Sequence, residues 1–486
     1  LCGLRDRLAS VQAVDIGVLD IDHSGDTLLP RLLDGAIHAI ERDRADAILL
    51  GCTGFLGLAD KLSAALAARG TPVPVVSPLQ AALMAAVTCL SLRLSHSSRA
   101  YPPPPRLSAA AAPLILPISI HKADIMSLDL SIDDLEDLAR GAAFLGTGGG
   151  GDPHIGRLVA GEAFARHGAP RILAPADLPD DALVCSIAGF GAPTVQVEKL
   201  IRGDEVMAAL DRLEAHLGRR VDALLPAEIG GGNSLLPLAA GAMRGLPVID
   251  GDGMGRAFPE LQMNSFSLNG IRATPLVVID EYHNSAVIQA VTDKVAEDMT
   301  RALAIQMGLR VFIACFPMDG ARMKAAVVPG TLSAALAVGR AIRQGRRGGD
   351  PVGSLVDCLR ATPPYGGGAI LFDGKIIDLE RRTADGFASG LARVAALEGG
   401  DVADVLFQNE NLVVRAGDRV LAIVPDLICI VDRDTGEPIP TQSLRYGQRI
   451  RIVAVPAPAQ LRSDAALRVM GPAAFGLDHP YAPIVG

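Results

Sequence analysis

The sequence predicts an α/β protein whose last part is mainly β. Two observations carry the α/β reading. Short apolar runs alternate with stretches of helical period along most of the chain, the pattern of βα units. Three of these runs stop at glycine-rich turns: Ala182-Leu-Val-Cys-Ser-Ile-Ala-Gly-Phe-Gly-Ala-Pro193, Leu225-Pro-Ala-Glu-Ile-Gly-Gly-Gly-Asn233 and Val248-Ile-Asp-Gly-Asp-Gly-Met-Gly255. A third observation marks the β part. From Ile370 onward the runs are short, alternate in polarity and are bounded by Gly, Asp and Asn, which predicts an antiparallel sheet or small barrel.

Bulk composition narrows the function classes. With 486 residues, 49% of them hydrophobic, 52 glycines and no tryptophan, the chain has material for about two to four cores. A net charge of -9 repels nucleic acid and anionic membrane surfaces, so neither is an expected partner. The expected partners are a small-molecule substrate and further copies of the chain in a homo-oligomer. Seven cysteines (Cys2, Cys52, Cys89, Cys185, Cys315, Cys358 and Cys429) are scattered without a CxxC pair, which reads as reduced thiols in a cytoplasmic setting. The apolar run from Ala109 to Ile120 is too short and too broken by proline to span a bilayer.

Taken in order, residues 1–100 form a partial βα domain. Asp15–Ile21 and Ala45–Gly51 read as strands, Leu28–Asp43 and Leu58–Arg69 as helices, Val73–Val76 as a third strand, and a further helix starts at Pro78. This is less than a full doubly wound domain, and the chain opens on Leu1, so an upstream portion is expected to be missing. The run Ala45-Asp-Ala-Ile-Leu-Leu-Gly-Cys-Thr-Gly54, with Val75-Val-Ser-Pro-Leu-Gln80 and Leu94-Ser-His-Ser-Ser-Arg-Ala-Tyr101, resembles the C-terminal half of the aspartate/glutamate/hydantoin racemase family. The resemblance implies a thiol base at Cys52, one of two cysteines that face the substrate carbon from opposite sides. A strand end ahead of a helix N-terminus also favours a thiolate there on physical grounds.

Residues 101–125 are a proline- and alanine-rich linker. Residues 126–368 form the next α/β domain. It begins with Ser131 as N-cap of an acidic first turn. Gly148, Gly149, Gly150 and Gly151 follow a helical stretch and lack the lysine of a phosphate loop, so no nucleotide cofactor is expected. Their backbone N–H groups instead suit a substrate carboxylate or carbonyl oxygen, with Asp152 capping the next helix. Cys185 lies inside its strand and reads as core. Glu198 begins a helix and faces water, and His283 sits in a loop, also solvated. The glycine turns are expected to project Glu228, Asn233, Asp250 and Asp252 from one edge of a parallel sheet. Asp250 and Asp252 either repel, which raises one pKa, or share a divalent metal, or build a purely structural turn. Arg256 and Glu260 follow on the lip of that turn. Residues 369–486 are the mainly β domain.

Five motifs together resemble the S-methyl thiohydantoin desulfurase family: Leu145-Gly-Thr-Gly-Gly-Gly-Gly-Asp-Pro153, Glu228-Ile-Gly-Gly-Gly-Asn233, Asp250-Gly-Asp-Gly-Met-Gly-Arg-Ala-Phe-Pro-Glu260, Pro425-Asp-Leu-Ile428 and Gly471-Pro-Ala-Ala-Phe-Gly476. The similarity runs from Met126 to the C-terminus. It implies an α/β layered domain joined to a β-barrel-like domain, and an enzyme that takes sulfur from a thiohydantoin with release of methanethiol. His154 stands where that family is expected to carry an aromatic residue. Such chemistry needs an activated water, a group that stabilises charge on the ring, and a slot for a flat heterocycle. Glu228, Asp250 and Asp252 are expected to hold a divalent metal or orient the water. Zinc is the first expectation for the ion, in a site rich in carboxylates. Asn233 and the amides of 148–151 are expected to bind ring oxygens, and Arg256 to anchor an acidic side arm.

Overall fold

The computed structural model describes residues 9–12, 25–51, 58–77, 81, 128, 130–192, 195, 203–384 and 387–484. Two compact units divide the chain, Leu1–Ser119 and Ile120–Gly486. In the first, the helices Gly25–Glu41 and Leu58–Ala68 gather Leu28, Leu32, Ala36, Leu62 and Leu66 around Leu50 in a small core. Strands β1 (Ile48–Leu49) and β2 (Val75–Val76) pair in parallel, as the βα alternation predicts. The expected strand at Asp15–Ile21, Cys52, Glu198 and the linker 101–125 lie outside the described residues.

The second unit starts where the capping signal lies. Ser131 and Asp134 close a capping box, and the helix Leu135–Leu145 follows. The strands that come next are β3 (Ile172–Leu173), β4 (Leu183–Gly191), β5 (Ala223–Pro226), β6 (Val248–Ile249), β7 (Gly251–Asp252), β8 (Leu276–Ile279), β9 (Ser285–Ile288), β10 (Arg310–Asp319) and β11 (Val328–Pro329). A seven-stranded sheet runs in the order β3-β6-β5-β4-β10-β8-β9, and β7 pairs separately with β11. Its β3-β6-β5-β4 half is parallel and its β4-β10-β8-β9 half antiparallel. The parallel sheet expected from the sequence is thus a mixed one. Between β8 and β9 there is only the turn held by Asp280, whose carboxylate accepts from the N–H groups of Tyr282 and Asn284. So short a connection permits a hairpin, whereas a parallel return needs a crossover of about a dozen residues.

The C-terminal strands are β12 (Ala369–Ala384), β13 (Phe387–Ala396), β14 (Val402–Gln408), β15 (Glu410–Ala416), β16 (Arg419–Ile423), β17 (Leu427–Asp432) and β18 (Arg449–Val455). They form a second seven-stranded sheet, β16-β15-β14-β13-β12-β18-β17, antiparallel throughout and curled into a half-barrel. The period-2 alternation sends Ile376, Val394, Val405, Val414, Ile430 and Ile452 into its interior. A larger core joins this sheet to the α/β layers, with Leu138, Phe144, Leu224, Leu236 and Leu336 packed in one cluster with Leu427, Val453 and Val455. Each such side chain contributes about 1.5–3 kcal/mol by leaving water. On the far side of the mixed sheet a second cluster holds Val184, Leu225, Phe266, Val278 and Ile313.

Glycine sets how closely the helices approach. A Cβ on Gly141, in the helix Leu135–Leu145, would lie 1.7 Å from the carbonyl oxygen of Ala335. On the facing helix Thr331–Gly348, a Cβ on Gly339 would lie 1.8 Å from the carbonyl oxygen of Asp137. The two helices therefore touch backbone to backbone.

Candidate active site

Strands β4 and β5 are parallel neighbours, with Ile187 opposite Pro226. Their C-terminal ends thus open on the same edge, the usual place for a ligand in an α/β sheet. At that edge the Asn233 amide ties the two exits together. Its Oδ1 accepts from Gly189 N–H at 2.8 Å, and its Nδ2 donates to Gly189 O at 3.1 Å and to Glu228 Oε1 at 2.7 Å. Both amide hydrogens are spent inside the protein. Asn233 accordingly orients Glu228, and in this structure both hydrogens of the amide expected to bind ring oxygens are directed to Gly189 O and Glu228 Oε1.

The 146–151 loop lies back to back with 230–232. A Cβ on Gly150 (φ +82°) would meet the Gly230 backbone at 2.3 Å. Asn233 N–H donates to Gly150 O at 3.0 Å. Gly150 and Gly151 line the cavity at this edge. Gly148 and Gly149 are not among the lining residues: Gly148 O accepts from the N–H and hydroxyl of Thr441, Gly149 N–H donates to Gly146 O, and Gly149 is pressed against Glu410.

The cavity has a volume of about 70 Å³ and is walled by Phe190, Met254, Phe258 and Leu261. Glu228, Glu410 and Arg301 are among its lining residues. Glu410 arrives from the half-barrel, at a hairpin whose turn residue Asn409 has φ 59°. Glu228 and Glu410 are 7% and 3% exposed, and each has an Oε2 without a hydrogen-bond partner. Burial pushes the Glu228 carboxyl up to about 7, with the charge of Asp252 adding to the rise; the Asn233 amide, Phe258 N–H and Arg256 pull the other way. Burial first, and then Glu228, push Glu410 well above the usual carboxylate range, against Arg256 and Arg301. Arg301 places its Cζ 4.6 Å from the ring centre of Phe190 and 4.0 Å from that of Phe387. It donates to Glu297 and to Pro259 O.

Asp250, Asp252 and Arg256 are not among the cavity's lining residues. Asp252 is fully buried, and its Oδ2 gathers the N–H groups of Ile229, Met254 and Gly255 at 2.8–2.9 Å. Burial lifts its carboxyl to about 7 against those bonds. It braces the turn that carries Glu228 and does not line the cavity. Asp250 turns the other way: its Oδ1 accepts from Leu332 and Ser333 N–H and its Oδ2 from the Ser333 hydroxyl, which caps the helix Thr331–Gly348. The three carboxylates expected to share a divalent ion therefore do not converge. Among the described residues no three His, Cys, Asp or Glu side chains gather as a metal site.

Arg256, the expected substrate anchor, is placed inside the protein. It is fully buried, lies 4.6 Å from the Phe258 ring, and spends its five N–H groups on Ala257 O, Pro425 O, Asp426 O, Asn411 O and Thr147 Oγ1. The guanidinium stitches the half-barrel to the glycine loop. Burial lowers its pKa to about 10, so it stays charged at neutral pH. Glu260 does line the cavity. His283 sits at the β8–β9 turn with Nε2 3.2 Å from Asp204, and His154 is exposed beside Arg157. Cys185 is fully buried in β4, as expected of a core residue.

Comparison with known proteins gives matches over both units. Residues 1–86 match the Asp/Glu/Hydantoin racemase family. The match is to that family as such, and the narrower reading of this stretch as its C-terminal half does not hold. Over 90 residues the chain is 34% identical to a hydantoin racemase of Paenarthrobacter aurescens and 32% to one of Pseudomonas sp. (strain NS671). These alignments cover 18% of this chain and 36% and 34% of the two relatives, so the chain spans about a third of their length. The crystal structure of a protein from Chromobacterium violaceum is similar at a TM-score of 0.62 and 27% identity, covering 73% of this chain and 99% of that one. No described helix is long and apolar enough to cross a membrane. Residues 133–290 match the S-Me-THD-like N-terminal domain and residues 291–484 the S-Me-THD-like C-terminal domain, and the chain belongs to the S-Me-THD-like family.

Proposed function

We propose that residues 133–484 hydrolyse an S-methyl thiohydantoin, or a related cyclic thioureide, to the hydantoin and methanethiol. The observation that carries this reading is the meeting of Glu228 and Glu410, two buried carboxyl groups from distant parts of the chain, in one cavity walled by Phe190 and Phe258. The two aromatic side chains suit a flat ring. An ionised carboxylate takes a proton from water while the water oxygen attacks the ring carbon that bears sulfur. As the oxygen adds, the C=N π pair goes to the ring nitrogen. The C–S bond of the resulting adduct then breaks: methanethiol leaves with a proton from the neutral partner, and the oxygen becomes the carbonyl as its remaining proton passes to that nitrogen, so one water gives the hydantoin and methanethiol. Family membership and the racemase match of the first unit both support chemistry on hydantoin-type rings.

The test is release of free thiol when the purified full chain meets S-methyl thiohydantoins. Glu228→Gln and Glu410→Gln should each lower kcat by about a hundredfold or more, the usual worth of a general acid or base. Saturable binding of the compound with no thiol released would show a binding module and end the hydrolytic reading. Running the assay with and without a chelator tests the divalent-ion expectation: turnover lost and restored by zinc would add a metal step.

A second reading rests on the racemase match over residues 1–86. On it, Cys52 removes a proton from a hydantoin or an acidic amino acid. Loss of optical activity of such a substrate, blocked by iodoacetamide and by Cys52→Ser, is the expected result. A wild-type chain that leaves optical rotation unchanged would rule it out.

A further inference from the structure

We infer that Glu260 is a substrate-binding residue whose carboxylate accepts the ring N–H of the thiohydantoin, so that the cavity selects rings that carry a proton on nitrogen. The inference rests on the hydrolytic reading for the ring it names, but its geometry stands apart from that reading.

Glu260 lines the cavity, and the backbone on each side of it is tied to one buried ion pair. Pro259 O accepts from Arg301 Nη2 at 3.0 Å, and Leu261 N–H donates to Glu297 Oε2 at 3.0 Å. Glu297 and Arg301 stand one turn apart on the helix Asp293–Gln306 and are joined through Arg301 Nε and Glu297 Oε1 at 2.6 Å. Glu297 is 1% exposed, and Arg301 Cζ lies 4.6 Å and 4.0 Å from the ring centres of Phe190 and Phe387. Removing either partner of a buried pair leaves an uncompensated charge, so this clamp on residues 259–261 holds as long as the fold does. A side chain mounted on so fixed a backbone needs little reorganisation to meet a ligand.

The residues around the cavity decide what that carboxylate meets. Among the described lining residues Arg301 is the one cation, and Glu297 already offsets it, whereas Glu228, Glu260 and Glu410 are all acidic. A cavity so lined disfavours an anionic arm and suits a ligand that donates hydrogen bonds. An S-methyl thiohydantoin offers one such donor at its reacting end, the N–H beside the carbon that bears sulfur. On the hydrolytic reading Glu228 and Glu410 move protons, and Glu228 Oε1 is already held by the Asn233 amide. Glu260 is not so engaged. Its Oε2 accepts from the Gln262 amide, and among the described residues the charged partner of Oε1 is the Lys294 ammonium at 4.0 Å, beyond hydrogen-bond reach. A ring N–H given to a carboxylate makes a charge-assisted bond, which both holds the ring and sets its orientation.

Thiol release by the purified full chain is compared on an S-methyl thiohydantoin and on its N1-methyl and N3-methyl derivatives. The ring has a single N–H, shared between the nitrogens by tautomerism, so a methyl on either nitrogen leaves none. The wild type should show a kcat/KM about tenfold or more higher for the unmethylated ring than for either derivative, the usual worth of a hydrogen bond to a charged group. Glu260→Met, which fills much the same space without an acceptor, should bring the three values together. Glu260→Gln, which keeps a weaker acceptor, should restore part of the difference. A wall that merely excludes a methyl group would leave the unmethylated ring at its wild-type rate in Glu260→Met. That result, or a wild type that treats the three rings alike, overturns the inference. If circular dichroism shows Glu260→Met unfolded, Glu260→Gln decides, and a preference as large as that of the wild type overturns it. If the wild type releases no thiol from any ring, the hydrolytic reading falls, and calorimetric Kd values for the same compounds carry the comparison instead. A Kd about tenfold or more lower for the unmethylated ring, levelled in Glu260→Met, then supports the role of Glu260, whereas equal values or no binding overturn it.

Discussion

Glu228 shows how the burial of one carboxyl makes stability depend on pH. Folded, its carboxyl holds a proton up to about 7, because burial outweighs the donors around it, while the unfolded chain gives up that proton near the ordinary value of 4.5. Between those values the folded state binds more protons than the unfolded one, so stability falls as pH rises through the window. The contribution is complete below the unfolded value and lost above the folded one. Glu228→Gln has the same shape and no charge to bury. It should therefore unfold at a higher temperature than the wild type at about pH 8, by at most roughly 3 kcal/mol, and at the same temperature near about pH 4. Thermal unfolding followed across that range checks the sign. A variant no more stable than the wild type on the alkaline side would mean that Glu228 is ionised without penalty, and the case for it as a neutral-pH base would weaken.

At the scale of elements, glycine decides where the helices sit and how the site edge is held. Gly339 and Gly348 belong to the same helix, Thr331–Gly348, and differ only in surroundings. A Cβ at Gly339 would strike Asp137 O at 1.8 Å, whereas nothing lies within 4 Å of one at Gly348. Gly339→Ala should cost about 3 kcal/mol or more, since both clashing partners are backbone. Gly348→Ala should be neutral or stabilise by up to about 1 kcal/mol through helix propensity. Urea midpoints of the two variants measure the contrast, and equal midpoints would refute backbone contact between the helices. Much of this scale is legible in the sequence, since caps are local. Ser131 with its acidic turn and Asp152 ahead of Pro153 both cap as their spacing predicts. The glycine-ended strands are legible for the same reason. Asp250 is not, because the helix it caps begins far along the chain at Thr331, and a cap borrowed from a distant strand end leaves no local signal. The mixed direction of the sheet was hidden in the same way, in which strand β10 chose to lie beside.

At the scale of the whole molecule the cavity is built from residues scattered between Gly150 and Glu410, and this explains what sequence reasoning found and missed. Glu228 and Asn233 announce themselves beside a strand end. Glu410 stands in the polar run Gln408-Asn-Glu-Asn411 between two alternating strands, which reads as a hairpin tip in water. The half-barrel folds that tip inward, leaving Asn409, Glu410 and Asn411 no more than 5% exposed, and only tertiary packing could reveal it. Arg301 is hidden likewise, as one charged position of an amphipathic helix. Every lining residue nevertheless belongs to the unit Ile120–Gly486, which has its own cores and its own two sheets. A domain with a complete core folds on its own terms. A chain that begins at Ile120 should therefore release thiol from an S-methyl thiohydantoin with a kcat within about twofold of the full chain, and Cys52→Ser in the full chain should leave that rate unchanged. The circular dichroism of the shortened chain reports whether it is folded. If it is folded and silent, the first unit supplies something the reaction needs, and the assignment of the chemistry to Glu228 and Glu410 alone is wrong.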